Sequence, residues 1–386
     1  MVAEVALCFV LLVGSGLMFR SFLALQRVDL GFDPNGLINF ELQYAGPPNA
    51  TPESRGAAQN QIRQAFAALP QVTQASATFP FPLAGGFSPI RWGREEALAD
   101  PTKFQAVNPQ FVLPGYFETM RTALIEGRTF TDQDNLPQRK SVVIDQNLAL
   151  KAFGGESAVG KRILIRVRTP EPEWVDIIGV VAHQRTTSLT EPGREQIFFP
   201  DAFVGNGAAS EWGLRSSGDV GQLAARAKDA LAKIDPSIVM VEARPMTELV
   251  ARAQSGTRFE LFLIAVFAGI AAVLAAVGLY GVLATVVRQR TAEIGVRMAL
   301  GAAPSKVFGL VVGYGLRLSV MGVGLGAAAG LALTRLMSTM LVDVKPADAL
   351  TYVSAGIGFL AVAALAAWIP ARRAAGLDPM NALRDA

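Results

Sequence analysis

The sequence has few charged residues and almost no cysteine or histidine. Charged side chains make up 17% of the 386 residues, whereas soluble domains usually have about 25%. The single cysteine, Cys8, excludes an internal disulfide. The single histidine, His183, has no partner cysteine or histidine at metal-ligand spacing, so a zinc site is not expected. The net charge is only +3, and the basic residues cluster beside apolar segments, which argues against nucleic-acid binding.

Patterns typical of enzyme active sites are also missing. A Ser-His-Asp arrangement would have to use the only histidine, and no serine lies within a G-x-S-x-G motif. Adjacent acids such as Glu95 and Glu96 are typical of a solvated face rather than of a catalytic pair. We therefore predict no catalytic residue, no cofactor and no metal site in this chain.

One segment matches the start of a nucleotide-binding P-loop. Gly155, Gly160 and Lys161 fit the pattern G-x-x-x-x-G-K. The next residue is Arg162, where a P-loop has a serine or threonine to hold magnesium. The residues that follow, I-L-I-R-V, are typical of a strand and not of a helix whose N-terminus receives phosphates. We therefore predict a turn before a strand here.

The sequence also has four long apolar segments. They comprise Val5–Phe19 with its apolar continuation towards Val28, Leu261–Val287, Val307–Leu333 and Ala349–Ala371. Because about 20 apolar residues suffice to cross a bilayer as a helix, we predict four transmembrane helices. The first is not typical of a signal peptide, since no basic residue precedes it and no small-residue cleavage site follows. The chain opens almost inside this helix, so we expect a fragment or one half of something longer.

Residues 31–245 have no spanning segment and are typical of a water-soluble domain. A strand-helix-strand pattern occurs twice, at Leu37–Tyr44, Pro52–Leu69 and Val72–Phe79, and again at Trp212–Arg215, Val220–Ile234 and Ile238–Ala243. We predict that these units form one split ferredoxin-like subdomain; chance similarity between two amphipathic helices is the alternative. Strands dominate the sequence between them, at Ser141–Ile144, Arg162–Val167, Trp174–Val181 and Gln196–Phe199. They predict a second, β-rich subdomain inserted into the first.

The connector between the second and third apolar segments, Arg288–Lys306, is strongly polar. It has four basic residues and a single acid, Glu293, so the positive-inside bias places it in the cytoplasm. We predict a short amphipathic helix, which Gly301 ends before Pro304 opens the next helix. The alternative is a basic loop that only fixes the topology.

The predicted connector helix has two distinct faces. Arg290, Glu293 and Arg297 fall at i, i+3 and i+7, so that they can pair along one face. The second face is apolar and small, and its members are Ile294, Met298 and Gly301.

The third apolar segment has a stripe of glycines and one charge. Gly322, Gly326 and Gly330 recur every fourth residue, which permits close helix contact. Arg317 would cost about 2.5 to 3.5 kcal/mol if it lay at the bilayer centre. It is therefore a candidate functional residue; a structural role near a helix end is the alternative.

Together these segments predict an α+β membrane protein with four transmembrane helices and a large periplasmic α+β domain between helices 1 and 2. The predicted boundaries are 1–30 for helix 1 and its stalk, 31–245 for the periplasmic domain (31–86 and 202–245 forming the β-α-β subdomain, 87–201 the insertion), 246–287 for the second stalk and helix 2, 288–306 for the connector, 307–334 for helix 3, 349–371 for helix 4 and 372–386 for a cytoplasmic tail.

With this layout the chain resembles the permease subunits of the MacB/FtsX class of ABC transporters. The motifs that carry the resemblance are R-Q-R-T-A-E-I-G-V-R-M-A-L-G-A at Arg288–Ala302, F-G-G-E-S-A-V-G-K-R at Phe153–Arg162, P-G-Y-F-E-T-M-R at Pro114–Arg121 and P-A-R-R-A-A-G-L-D-P-M-N-A-L-R at Pro370–Arg384. They are most similar to the large bacterial permeases with duplicated halves, of which this would be the C-terminal half. The resemblance covers nearly the whole chain and departs from the family at the N-terminus, where the usual cytoplasmic lead helix is absent.

The resemblance implies that the connector contains a coupling helix that touches a separate ABC ATPase subunit. The implied coupling residues are Arg290, Glu293, Ile294, Gly295, Arg297, Met298 and Gly301. It also implies the bacterial inner membrane, contact with membrane lipid, pairing with a second permease half or a second copy, and a periplasmic adaptor as a further partner. ATP hydrolysis on the partner would move the periplasmic domain through the stalk, for export or for lipoprotein or peptide handling. The alternative is a membrane-anchored periplasmic receptor or scaffold without an ATPase partner.

Overall fold

The computed structural model describes residues 2–43, 50–189, 191, 193–218, 220–300, 302–336, 344–345 and 347–376. The chain divides into two compact units. The membrane unit comprises Met1–Arg27 and Gly256–Ala386, and the domain unit comprises Val28–Ser255.

The described residues form ten α-helices and eleven strands. The helices are α1 (Val2–Leu25), α2 (Pro52–Ala67), α3 (Glu96–Ala99), α4 (Tyr116–Met120), α5 (Gln146–Phe153), α6 (Leu223–Ile234), α7 (Met246–Gln289), α8 (Thr291–Ala299), α9 (Pro304–Leu336) and α10 (Ala349–Ala375). The strands are β1 (Leu37–Gln43), β2 (Val72–Phe79), β3 (Ile90–Gly93), β4 (Gln105–Val112), β5 (Leu124–Gly127), β6 (Ser141–Asp145), β7 (Arg162–Arg166), β8 (Glu173–Val181), β9 (Gln196–Pro200), β10 (Glu211–Ser216) and β11 (Val239–Pro245).

Four helical segments within the described residues are long and apolar enough to cross a membrane. They are Val2–Leu25, Phe262–Gln289, Pro304–Leu333 and Ala349–Ala375. The four predicted spans are therefore confirmed. Helix α7 runs without interruption from Met246 to Gln289, so the segment predicted as the second stalk and the second span form one helix.

The core of the membrane unit follows one face of α1. Its buried residues Val5, Phe9, Val13 and Leu17 recur every fourth position, as expected for one stripe of a helix. They belong to a single apolar cluster with alanines of α10, among them Ala363. Small residues opposite large ones let these helices approach closely. Close packing matters here because, inside a bilayer, the hydrophobic effect does not drive helices together.

The described strands of the domain unit all belong to one sheet. Its order is β11-β1-β10-β2-β4-β3-β7-β8-β6-β9, with β5 paired to β8. The first four strands are antiparallel and come from the two β-α-β units, interleaved as in a split ferredoxin-like fold. The predicted subdomain is therefore confirmed, since β1 pairs directly with β11 although about two hundred residues separate them. Tyr44, predicted to end the first strand, lies outside the described residues.

Aromatic side chains fill the core between this part of the sheet and its two helices. The ring of Phe66, on α2, lies 5.6 Å from that of Phe40 and 5.2 Å from that of Trp212, both edge-to-face. All three are fully buried, and burial of each such side chain stabilises the fold by about 1.5 to 3 kcal/mol. Helix α2 is positioned by Thr51, whose hydroxyl accepts a hydrogen bond from the Ser54 N–H at 3.2 Å.

The inserted β-rich part continues the same sheet rather than forming a separate one. Thr78 pairs with Glu211 of β10 on one side and with Val112 of β4 on the other. The predicted β-rich insertion is present, and its strands join the ferredoxin-like strands through β2, whose two edges pair with β10 and β4. The insertion also contains helices α3, α4 and α5, which the sequence pattern did not predict.

The P-loop-like segment is a turn before a strand, as predicted. Gly155 and Gly160 have φ of 97° and 81°, a left-handed conformation that glycine adopts without strain. The Lys161 ammonium pairs with Glu156 at 2.7 Å, and the next residue, Arg162, begins β7.

Candidate functional site

The connector between the second and third spans folds as a nine-residue helix, α8, with a break on either side. Arg290 has φ −105° and ψ 14°, which interrupts the helical backbone between α7 and α8. The Thr291 hydroxyl donates to the Val287 carbonyl at 3.0 Å and so ties this break to the end of α7. Pro304 opens α9, as predicted for a residue that has no N–H to contribute. A helix is therefore present where a simple basic loop was the alternative.

One face of α8 rests on the transmembrane helices. Ile294 and Met298 are half-buried and pack against the apolar cluster of the membrane unit. Ile294 also lines a small cavity of about 50 Å³ together with Leu283 of α7 and Val311 of α9. These two side chains therefore hold α8 against the spans. Of the other implied coupling residues on this side, Gly295 lies within α8, and Gly301 lies outside the described residues.

The opposite face of α8 has two exposed apolar side chains that the sequence reasoning missed. Val296 is 44% exposed and Leu300, at the end of the helix, is 84% exposed. They are four residues apart and therefore lie on the same face. Each is two positions from Ile294 or Met298, which corresponds to a rotation of about 200° around the helix. That spacing is the signal that could have separated the outward apolar residues from the inward ones.

The charged face of α8 has one ion pair, not the predicted two. Arg297 Nη2 lies 2.5 Å from Glu293 Oε1, and both side chains are about half exposed. Such a pair stabilises a helix by only about 0.2 to 0.5 kcal/mol. Arg290, at the N-cap, forms no ion pair with Glu293 among the described side chains. The exposed surface of α8 therefore offers a charged pair beside Val296 and Leu300.

The glycine stripe of α9 contacts two other helices. A Cβ atom on Gly322 would overlap the Val5 side chain of α1, and one on Gly326 would lie 2.7 Å from the Ala6 carbonyl oxygen. A Cβ on Gly330 would lie 3.3 Å from the Tyr352 hydroxyl of α10. At Gly322 and Gly326, α1 therefore lies so close to α9 that only glycine fits.

Arg317 lies near the middle of the span Pro304–Leu333 and not near a helix end, which corrects the alternative considered for it. Its side chain is exposed on the surface of α9. Within the described part of the chain it forms no ion pair. Arg317 therefore stays a candidate functional residue, as predicted for an arginine within a span.

Two family models match the chain. One is the FtsX-like permease C-terminal model, over residues 265–379, and the other is the MacB-like periplasmic core domain, over residues 5–243. The second match alone covers more than half of the chain. The chain therefore belongs to the MacB/FtsX family of ABC transporter permeases. It is a multi-pass membrane protein with a large periplasmic domain between its first and second transmembrane helices.

Over the aligned residues, the chain is about a quarter identical to curated relatives. "Macrolide export ATP-binding/permease protein MacB" of Chromobacterium violaceum is 28% identical over 279 residues, which cover 69% of this chain and 42% of that protein. "Pyoverdine export ATP-binding/permease protein PvdT" of Pseudomonas aeruginosa is 27% identical over 342 residues, which cover 83% and 46%. "Uncharacterized ABC transporter permease YknZ" of Bacillus subtilis is 25% identical over 277 residues, which cover 70% and 68%. The chain thus spans less than half the length of the two ATP-binding/permease relatives.

Solved structures similar to the chain are of extracytoplasmic domains. The extracellular domain of YknZ has a TM-score of 0.35 at 18% identity, covering 53% of this chain and 100% of that one. The periplasmic region of MacB from Actinobacillus actinomycetemcomitans has a TM-score of 0.37 at 12% identity, covering 55% and 90%.

Proposed function

We propose that the chain is a permease subunit that couples ATP hydrolysis by a separate ABC ATPase to movement of its periplasmic domain, for export or for lipoprotein or peptide handling. The observation that carries the proposal is the outward face of α8. This helix connects two spans, and its exposed groups are Val296, Leu300 and the Glu293–Arg297 pair, which we expect to face the cytoplasm.

The anchoring of α8 supports a mechanical role. Ile294 and Met298 pack into the apolar cluster that α1, α7, α9 and α10 share. A force applied to the exposed face of α8 is therefore transmitted to the transmembrane helices through these packed side chains. Helix α7 is one continuous helix of 44 residues that includes the second span and is followed directly by α8.

The relatives support an ATPase on a different polypeptide or domain. The MacB and PvdT names combine ATP binding with a permease, and the chain matches less than half of those proteins. YknZ is named as a permease alone. We propose that the remaining partners are a second permease half or a second copy of this chain, membrane lipid and a periplasmic adaptor.

The test is whether an ABC ATPase activity co-purifies with the intact membrane protein and depends on the outer face of α8. Glu293→Lys would place a third like charge beside Arg290 and Arg297, and Leu300→Asp would put a charge where an apolar contact is expected. Reversal of one member of a docked charge pair costs about 2 to 5 kcal/mol, so each change should reduce ATPase association at least tenfold. Folding should be unaffected, since both side chains are exposed.

The matched control is Glu171→Lys, a charge reversal at an exposed turn of the domain unit, which should leave the association unchanged. Retention of the ATPase by both α8 variants, with activity still responsive to the permease, would assign α8 to topology alone. The receptor or scaffold reading would then replace the proposal.

A further inference from the structure

A groove of about 490 Å³ lies at the cytoplasmic ends of α7 and α10. Its walls are small and apolar, formed by Ala284 and Val287 of α7 and by Pro370 of α10. The groove is separate from the outer face of α8, since neither Val296 nor Leu300 lines it. It lies at the membrane boundary, because α7 and α10 both end their spans here.

Two arginines and a tyrosine supply the polar groups of this groove. Arg373 Nη1 donates to the Tyr280 hydroxyl oxygen at 3.1 Å, and Arg288 Nε donates to the Ala284 carbonyl at 3.4 Å. Both partners are neutral, so each guanidinium keeps its full charge. No acidic residue is among the described residues that line the groove, and neither arginine forms an ion pair with a described carboxylate.

The groove is elongated along the helix axis. Tyr280 and Arg288 both line it and are eight residues apart on α7, which corresponds to about 12 Å along the helix. Arg288 lies where α7 leaves its span, Arg373 is hydrogen-bonded to Tyr280 at the other end of the groove, and the small apolar walls lie between them. Positive charge beside apolar walls at the membrane boundary matches a lipid, in which an anionic phosphate adjoins acyl chains.

We propose that this groove binds an anionic phospholipid of the inner leaflet. Arg288 and Arg373 attract the phosphate, and the adjoining glycerol and acyl chains lie against the small apolar walls of the groove. Basic pockets between transmembrane helices on the cytoplasmic side are suited to such headgroups because the inner leaflet is anionic and each nearby arginine adds about 1 kcal/mol of attraction. Arg288 is two residues before the N-cap of α8, so the bound lipid fixes the point at which α7 turns into α8.

The experiment uses the purified full chain in nanodiscs of phosphatidylcholine with or without phosphatidylglycerol. Bound lipid is counted by native mass spectrometry after release from the disc. The variants are Arg288→Gln, Arg373→Gln and the double change. The control is Arg372→Gln, which removes an exposed arginine next to Arg373 that does not line the groove. We expect retention of phosphatidylglycerol to fall about fivefold for each groove arginine and to stay unchanged in the control.

Three results would overturn the proposal. The first is equal retention of phosphatidylglycerol by the double variant and the original chain, and the second is an equal loss in Arg372→Gln. In the third, inorganic phosphate or glycerol 3-phosphate would displace the lipid at equal concentration, which would make the groove a site for a soluble anion. Thermal unfolding in phosphatidylcholine alone, unchanged by the substitutions, establishes that the variants are folded. Because lipid counting requires no ATPase, its outcome is independent of whether α8 docks a partner.

Discussion

Arg20 of α1 forms an ion pair with Asp348, the N-cap residue of α10. The same carboxylate accepts hydrogen bonds from the Thr351 N–H at 2.9 Å and from the Thr351 hydroxyl at 2.6 Å. One side chain therefore begins α10 and also holds it to α1, although 328 residues separate the two partners.

The first prediction separates these two roles of Asp348. Asp348→Asn keeps a capping oxygen and removes the charge, whereas Asp348→Ala removes both. We expect the alanine variant to be less stable than the asparagine variant by about 1 kcal/mol, the usual value of an N-cap. Arg20→Gln should lose no more than about 1 kcal/mol, because its side chain is partly exposed. The measurement is thermal unfolding in detergent; full additivity of Arg20→Gln with Asp348→Asn would show that the pair is not coupled.

The second prediction compares two glycines of α9. Gly326 approaches the Ala6 carbonyl and Phe9, whereas Gly324 has nothing within 4 Å of a Cβ. Alanine at either position gains up to about 1 kcal/mol of helix propensity. Overlap at Gly326 should reverse this gain and cost about 1 to 3 kcal/mol. We expect Gly326→Ala to lower the unfolding temperature in detergent and Gly324→Ala to raise it slightly. The same shift in both variants would contradict a close contact between α1 and α9.

The third prediction concerns a carboxylate in the domain unit. The Arg128 guanidinium donates two hydrogen bonds to Asp134, at 2.6 and 2.9 Å, and Thr131 adds two more. These bonds, the Arg128 pair foremost, hold the pKa of the nearly buried Asp134 carboxyl well below its usual range. Because Arg128 is half exposed, we expect Asp134→Asn to reduce the free energy of unfolding at neutral pH by about 1 to 2 kcal/mol.

The pH dependence follows from the direction of that shift. Because the folded state lowers the pKa of Asp134, the ionised carboxylate stabilises the fold at pH values above the ordinary aspartate pKa of about 3.9. This contribution is lost as the pH falls towards the folded-state pKa. Denaturant unfolding of the original chain and Asp134→Asn should therefore converge in strong acid. Asp132→Asn is the control, since the pair of the exposed Asp132 with Arg63 should contribute no more than about 1 kcal/mol. A difference that persists in strong acid would refute the assignment.

The fourth prediction concerns Glu211, a carboxyl group whose pKa is raised rather than lowered. Burial raises the pKa of Glu211, and the carboxylate of Glu41, which is opposite it on β1, adds to the effect. Protonated Glu211 therefore stabilises the fold, and this contribution is lost as the pH rises through the raised pKa. Glu211→Gln keeps the oxygen that accepts the Phe81 N–H and removes the charge. It should raise the free energy of unfolding at neutral pH, with the difference shrinking below about pH 4.3, the ordinary value for glutamate.

The control for Glu211→Gln is Glu171→Gln, which alters an exposed glutamate and should have no measurable effect. Both are followed by denaturant unfolding of the full chain in micelles. A loss of stability at neutral pH in Glu211→Gln would show that the ionised form is the favoured one.

The sequence by itself determined the elements whose signals are local. Long apolar segments marked the four spans, and the 3.6-residue and two-residue periodicities marked the β-α-β units. Pro304 marked the start of α9 correctly, because its missing N–H is best tolerated in the first turn of a helix.

Only the tertiary structure decided which surfaces of these elements meet. Periodicity shows that α8 has an apolar face, but packing against the spans determines that Ile294 and Met298 point inward and leaves Val296 and Leu300 exposed. The pairing of β2 with β4, which joins the insertion to the ferredoxin-like strands, uses the edge of β2 opposite β10. Neither the contact of Gly326 with Ala6 nor the ion pair of Arg20 with Asp348 has a local sequence signal. These contacts join residues hundreds of positions apart, and their geometry depends on how whole helices and strands pack.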